Sequence, residues 1–223
     1  MVFIFALFLI SWLLYLVFYF KLNRTQVFLL KMLTSIFLLL FGIITCFRSK
    51  SPEYALIIVL GLGFGVGGDF FLGMQRVDRK RKQLHLMLGI LAFFCGHIFY
   101  LLAFQKYAEL PYYIYFPIAI IIMLLSWFFI RFQKIELRKV KYLSYAYLFI
   151  SALFLTFAFG TFKNGIKPFS FFVAFGALSF SASDYVLSFL YFRSVKRYKT
   201  LKYINIILYY LGQLLISASM LFV

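Results

Sequence analysis

The sequence predicts an all-α polytopic membrane protein of eight transmembrane helices, and three observations carry that prediction. The first is composition: of 223 residues, 65% are hydrophobic, 23% aromatic and only 13% charged, whereas a soluble domain is about half apolar and a quarter charged. The second is a recurrence of apolar runs of about 20 residues, the length that crosses a hydrocarbon core of about 30 Å. The third is that short polar or basic connections close these runs and leave no stretch over for a soluble domain. Mean hydropathy, at +0.99, agrees.

The first span covers residues 2–20. It has neither a basic flank before it nor a small-residue cleavage site, so it is expected to be retained and not removed as a signal peptide. The second and third spans cover 26–47 and 54–74, the fourth 84–104 and the fifth 111–131. The sixth, seventh and eighth cover 141–162, 168–192 and 201–222. Pro52, Pro111 and Pro168 fall at or near the starts of the third, fifth and seventh helices, where a missing amide hydrogen costs least. The odd-numbered loops hold 17 of the 23 Lys and Arg residues and the even loops five, with Lys31 inside a span. That imbalance places the odd loops in the cytoplasm and both termini on the non-cytoplasmic side. It also accounts for the net charge of +17 as topology, where a soluble protein of that charge would suggest a nucleic-acid partner.

Six acidic residues occur. Glu53, Asp78, Glu109 and Glu136 lie in or beside loops, which leaves Asp69 and Asp184 inside spans. An ionisable group in hydrocarbon costs about 2.5 kcal/mol or more and usually faces a cavity or a partner. Asp69 precedes the loop residue Arg76 by about 10 Å of helix and Asp184 precedes Arg193 by about 13 Å, at 1.5 Å per residue. Both helices run in the same direction, so the two carboxyls fall in the same half of the membrane. Asp69 sits in the segment GLGFGVGGDFFLG, where Gly61, Gly65, Asp69 and Gly73 recur every four residues. The carboxyl therefore shares a face with glycines that admit a neighbouring helix or a lipid chain, and that face is expected to open on a cavity shared with Asp184.

An internal repeat links the two aspartates. Asp-Phe-Phe-Leu at 69–72 resembles Asp-Tyr-Val-Leu at 184–187, and one helix later FFCGHI at 93–98 resembles YYLGQL at 209–214. The order and spacing predict two four-helix halves, about 1–106 and 107–223, in one orientation and related by an axis along the membrane normal. Around the carboxyls, helix eight carries Asn205, Tyr209, Gln213 and Ser217 at intervals of four, a polar stripe that must face protein or water. Helix four offers His97 and Tyr100, and helix seven Ser181 and Ser188. Each of these alone reads equally as an interhelical hydrogen bond. Lys31 reads either as a residue that snorkels to the headgroups or as a partner for a phosphate or an aspartate.

Several motifs fail. Gly63, Gly65 and Gly68 fit GxGxxG but lie inside one continuous span, without a preceding strand. Cys46 and Cys95 lack metal-ligand spacing and read as small buried hydrophobes. With two histidines in the chain, a three-histidine zinc site cannot be assembled. No GxSxG occurs, which argues against a serine lipase. Neither a metal nor a cofactor is expected.

Gly68-Asp69-x-x-Leu72, Gly96-His97-x-x-Tyr100, Gly176-Ala177-x-x-Phe180-x-x-Ser183-Asp184 and Tyr209-x-x-x-Gln213, in that order, resemble the YhhN or lysoplasmalogenase family of eight-span membrane proteins. The resemblance implies hydrolysis of the vinyl ether bond of a lysophospholipid drawn from the bilayer, a lysoplasmalogen, to a fatty aldehyde and glycerophosphoethanolamine or glycerophosphocholine. It implies Asp69 and Asp184 as the catalytic pair; from their positions on the neighbouring helices, Lys31, His97, Tyr100, Ser181, Asn205, Tyr209 and Gln213 are expected as supporting or substrate-binding residues. It also implies the cytoplasmic membrane of a bacterium as the setting. The chemistry needs one acid and one base: protonation of the alkene creates an oxocarbenium ion, and water captures it. Desolvation and a neighbouring carboxylate both favour a neutral acid, so two aspartates can divide the roles. From its flanking residues Phe64, Phe70 and Phe71, Asp69 reads as the drier group and hence the acid, with Asp184 as the base. Two other classes fit the same residues: a proton-coupled membrane transporter using Asp69 and Asp184, and a binding protein whose carboxyls are purely structural.

Overall fold

In a computed structural model, which describes residues 1–108, 111–165, 167–193 and 196–223, eight α-helices follow one another: α1 (Val2–Phe18), α2 (Arg24–Cys46), α3 (Pro52–Val77), α4 (Lys82–Gln105), α5 (Tyr112–Phe132), α6 (Lys141–Gly160), α7 (Pro168–Phe192) and α8 (Tyr198–Ser219). Short 3₁₀ turns at Arg138–Val140 and Thr161–Asn164 flank α6. Glu109, expected in a loop, lies outside the described residues.

Local chemistry sets the boundaries. Asn23 caps α2 in a reciprocal box with Gln26, each side chain bonding the other's backbone N–H, so two otherwise orphaned donors are satisfied. Pro52 and Pro168 occupy the first turns of α3 and α7. Between α3 and α4, the Asp78 carboxyl accepts from the backbone N–H groups of Lys80 and Arg81 and meets His85 Nε2 at 3.3 Å. The contact with His85, more than any other, holds Asp78 below the usual carboxylate range.

Helices α2 to α8 are each long and apolar enough to cross a membrane, and the protein is a multi-pass integral membrane protein. α1 is shorter than expected, 17 residues or about 25 Å. It gives way at Tyr19, just ahead of Lys21 and the Asn23 cap. Large exposed side chains such as Leu124, Leu125 and Phe128 on α5 would be a liability in water, but they suit a lipid-facing surface.

The closest helix pairs are α3 with α4 and α7 with α8. Their backbones approach at matched glycines. A Cβ on Gly96 would sit 3.2 Å from the Gly61 carbonyl oxygen, and one on Gly212 would sit 2.9 Å from the Gly176 carbonyl oxygen and 2.7 Å from Phe180 N. Gly61 and Gly96 stand to the first aspartate as Gly176 and Gly212 stand to the second. The neighbours also recur in order: α1–α2, α2–α3 and α3–α4, then α5–α6, α6–α7 and α7–α8. Consecutive contacts alone would be trivial in a helical chain. More telling, α4 packs on α6 and α8 on α2, contacts that interchange when the halves are swapped.

The glycine seam has a direct test. Gly212→Val forces α7 and α8 apart and should cost about 1–3 kcal/mol as an overpacked contact. The expected result is a clear fall in unfolding temperature in detergent. Gly63→Ala should show no such fall, because nothing lies within 4 Å of the added methyl.

Candidate functional site

Asp69 is met from two other helices. Position 31 on α2 brings Lys31 Nζ to 2.7 Å from Asp69 Oδ1, and one turn later Ser35 Oγ donates to Oδ2 at 2.6 Å. From α8, the Tyr209 hydroxyl donates to the same oxygen at 2.8 Å. The adjacent Tyr210 hydroxyl holds the arrangement, 2.9 Å from Ser35 Oγ and 3.2 Å from the Lys31 carbonyl oxygen. Behind Tyr209 runs a buried relay: Tyr100 donates to Gln213 Oε1 at 2.5 Å, and Gln213 Nε2 donates at 3.5 Å to the Tyr209 oxygen. The Asp69 side chain is 2% exposed and that of Lys31 16%. Lys31 therefore pairs with an aspartate and does not snorkel away from it.

Asp184 has different company. The Tyr147 hydroxyl, from α6, donates to its Oδ2 at 2.6 Å. His97 Nε2, from α4, lies 3.7 Å from the same oxygen, beyond hydrogen-bond range. The other ring nitrogen, Nδ1, is 2.9 Å from the Phe93 carbonyl oxygen. A carbonyl only accepts, so in the neutral ring Nδ1 carries the hydrogen and Nε2 turns a lone pair towards Asp184. Phe154 and Phe180 wall the imidazole, with ring centroids at 4.6 and 4.8 Å. Among the described residues, no lysine or arginine forms an ion pair with Asp184 as Lys31 does with Asp69.

The two clusters meet. Asp69 and Asp184 both line a cavity of about 30 Å³, together with Lys31, Lys202, Asn205 and Tyr209. That is room for a water among several polar partners. Asp184 also lines a second chamber of about 300 Å³, enclosed by apolar side chains of α4, α5, α6 and α7 and by Tyr147, Ser151 and Ser181. Among the described residues, no three or more His, Cys, Asp or Glu side chains cluster to hold a metal.

The expected residues therefore divide. Lys31 and Tyr209 touch Asp69, and His97 approaches Asp184. Gln213 and Tyr100 stand one and two hydrogen bonds behind Tyr209 and reach neither carboxyl. Asn205 lines the shared cavity, donating to Ser183 and accepting from Lys202 Nζ at 2.9 Å. Ser181 lies in the chamber, its hydroxyl without a hydrogen-bond partner. The glycine face of α3 is less open than expected: Tyr100 covers Gly61, Gln213 covers Gly65 and Phe28 covers Gly73. At Gly65 this is functional packing, since a Cβ there would press within 2.9 Å of Gln213 Nε2 and disturb the relay. Both cysteines are free thiols and part-buried.

Ser35, Tyr147, Tyr210, Tyr191 and Lys202 went unread in the sequence. The repeat held a signal for Tyr147: Tyr209 follows Phe93 by 116 residues, and the same step leads from Lys31 to Tyr147 and from Ser35 to Ser151.

Breaking a buried ion pair from one side costs about 3 kcal/mol or more. Lys31→Met should therefore lower the denaturation midpoint of the purified protein well below that of the Lys31→Met, Asp69→Asn double variant, in which no carboxylate is left stranded. Equal midpoints would show that the pair carries no charge coupling.

Residues 26–220 match the YhhN family. No curated protein and no solved structure matches the chain.

Proposed function

Because the chain belongs to the YhhN family, we propose that it is a membrane hydrolase of the lysoplasmalogenase type, in a bacterial cytoplasmic membrane, which cleaves the vinyl ether of a lysoplasmalogen to a fatty aldehyde and glycerophosphoethanolamine or glycerophosphocholine. One observation carries the reading: two intramembrane aspartates with opposite surroundings share one water-sized cavity beside an apolar chamber.

The surroundings reverse the roles expected from the sequence. Asp69 meets an ammonium at 2.7 Å and two hydroxyl donors, contacts that suit a proton acceptor. Among the described residues Asp184 accepts one hydrogen bond, from Tyr147, and faces the lone pair of His97 Nε2, surroundings that suit the acid. Asp184 is therefore the acid and Asp69 the base. Phe64 and Phe70, which made Asp69 look dry, turn outward and are 38% and 41% exposed.

In this scheme the alkenyl group lies in the chamber with its double bond at Asp184. The Asp184 proton passes to the alkene carbon remote from the ether oxygen, leaving an oxocarbenium ion. Asp69 takes a proton from the water of the shared cavity as its oxygen bonds the cationic carbon. The hemiacetal then collapses: Asp69 returns its proton to the departing glycerol oxygen as the C–O bond breaks, and the hemiacetal hydroxyl proton passes to Asp184 as the aldehyde forms, so both carboxyls end as they began. The sum is vinyl ether plus water to aldehyde plus alcohol. No further reactant is required, and the division of labour resembles that of glycosidases, where two carboxyls flank an oxocarbenium-like transition state.

General acid and base catalysis contribute about 10²–10⁴-fold each, so Asp69→Asn and Asp184→Asn should each lower aldehyde release from a lysoplasmalogen by at least that much while the protein stays folded. Near-wild-type turnover by either variant would sink the reading; proton flux into proteoliposomes on adding substrate, without product, would favour a transporter. The roles have their own readout. Difference infrared spectra should show the carbonyl stretch of a protonated carboxylic acid that disappears in Asp184→Asn and persists in Asp69→Asn.

A further inference from the structure

The aspartate site is one end of a longer series of cavities. The apolar chamber shares Leu72, Phe93, Leu187 and Tyr191 with the small cavity between the aspartates. It also shares Leu86, Leu137, Tyr191 and Phe192 with a third, larger cavity of about 590 Å³. Tyr191 lines all three. The third cavity has a different character: Lys82, Lys139 and Arg193 line it, with Gln83 and Glu136. Its three cations come from three elements, the first turn of α4, the 3₁₀ turn before α6 and the end of α7. Against one carboxylate they leave an excess of positive charge. Arg193 donates one N–H to Gln133 Oε1 at 2.5 Å, and a guanidinium has five to offer.

The chamber has direction as well. Along α7 its lining runs from Leu178 to Phe192, about 21 Å of helix, with Asp184 about 9 Å from the one end and 12 Å from the other. Ile122, Leu155 and Leu178 line it near the first end, and the basic cavity adjoins it at the second. A single-chain lipid laid along this axis would put hydrocarbon at the apolar end and its polar group among the cations, with the bond that joins them near Asp184.

We infer that the cavity lined by Lys82, Lys139 and Arg193 is the subsite for the phosphate of the lipid headgroup, and that it sets the register of the chain against Asp184. The inference rests on the proposed lipid substrate and adds to it an orientation: the lysolipid enters from the leaflet at the basic end of the bundle. General surface charge does not supply this. Arg79 and Lys80 carry the same charge in the α3–α4 connection but do not line the cavity.

The test is binding, so that it stands apart from turnover. Two unreactive ligands with the same saturated ether chain are titrated against the full chain in nanodiscs: a 1-alkyl-glycerophosphoethanolamine and the corresponding 1-alkylglycerol without phosphate. Charge-assisted hydrogen bonds predict that the phosphate-bearing ligand binds at least about tenfold more tightly. The Lys139→Gln, Arg193→Gln double variant should reduce that ratio to about twofold while binding alkylglycerol as wild type does. Arg193→Lys should keep part of the preference, and Arg79→Gln with Lys80→Gln all of it. Equal binding of the two ligands by wild type, or an undiminished ratio in the Lys139, Arg193 variant, overturns the subsite. So does inorganic phosphate that displaces the phospho-ether at matching concentration, which would make this a site for the free anion. Each of those outcomes leaves the aspartate substitutions and their effect on aldehyde release standing, and loss of aldehyde chemistry leaves the binding ratio standing.

Discussion

A carboxylate held inside a membrane has to be answered by donors, and the answer given to Asp69 organises much of the bundle. Its partners arrive from α2 and α8, which are far apart in sequence, so the charge ties the last helix to the second across the third. The surrounding packing serves that tie. Tyr210 braces Ser35 and the Lys31 backbone, and Phe8 and Trp12 of α1 pack their rings on Tyr210, with centroids about 6 Å away. Gly65 leaves room for Gln213 behind Tyr209. A short first helix can be accommodated because what it supplies is an aromatic wall for this network.

The cavities extend the same logic outward. A cationic intermediate needs a negative group close by and little water around it, since bulk water would screen the charge and compete for the acid's proton. The space between the aspartates is water-sized and polar, while the adjoining chamber is apolar. In the proposed reaction this confines water to the place where one molecule is consumed, leaves the chamber to hydrocarbon and keeps the polar headgroup at the basic end.

Legibility in the sequence followed what is local. Eight helices were readable from hydropathy, and several of their ends from Pro52, Pro168 and the basic loops, because length and punctuation are properties of consecutive residues. The pair of aspartates, Lys31 and the α8 stripe stood out because polar residues are scarce in the spans. Tyr147 did not, because one tyrosine among 17 in a chain with 33 phenylalanines carries no signal until a carboxyl is found beside it. The proposed acid and base roles differ from those expected for a related reason. Phe64 and Phe70 neighbour Asp69 in sequence, but at about 100° per residue they project from other sides of α3; the dielectric around Asp69 is set by α2 and α8 instead. Long-range partners decide charge, and sequence adjacency on a helix does not report them.

In the proposed reading the two aspartates take unlike roles on helices of matched spacing. The step of 116 residues that aligns Phe93 with Tyr209 sets Lys31 against Tyr147 and His97 against Gln213. Each aspartate is approached from the preceding helix by the residue at that shared position, an ammonium in one half and a phenol in the other. The following helix of the partner half then supplies Tyr209 to Asp69 and His97 to Asp184. Two carboxyls in equal surroundings and close together would compete for one proton without either being assigned to it. In the proposed mechanism a lysine in one half removes the degeneracy: Lys31 stands 2.7 Å from Asp69, which suits the base there and leaves the acid role to Asp184, on the side that faces the chamber. The direction of the proposed reaction, from acid in the chamber to base in the cavity, follows from that single difference between otherwise matched helices.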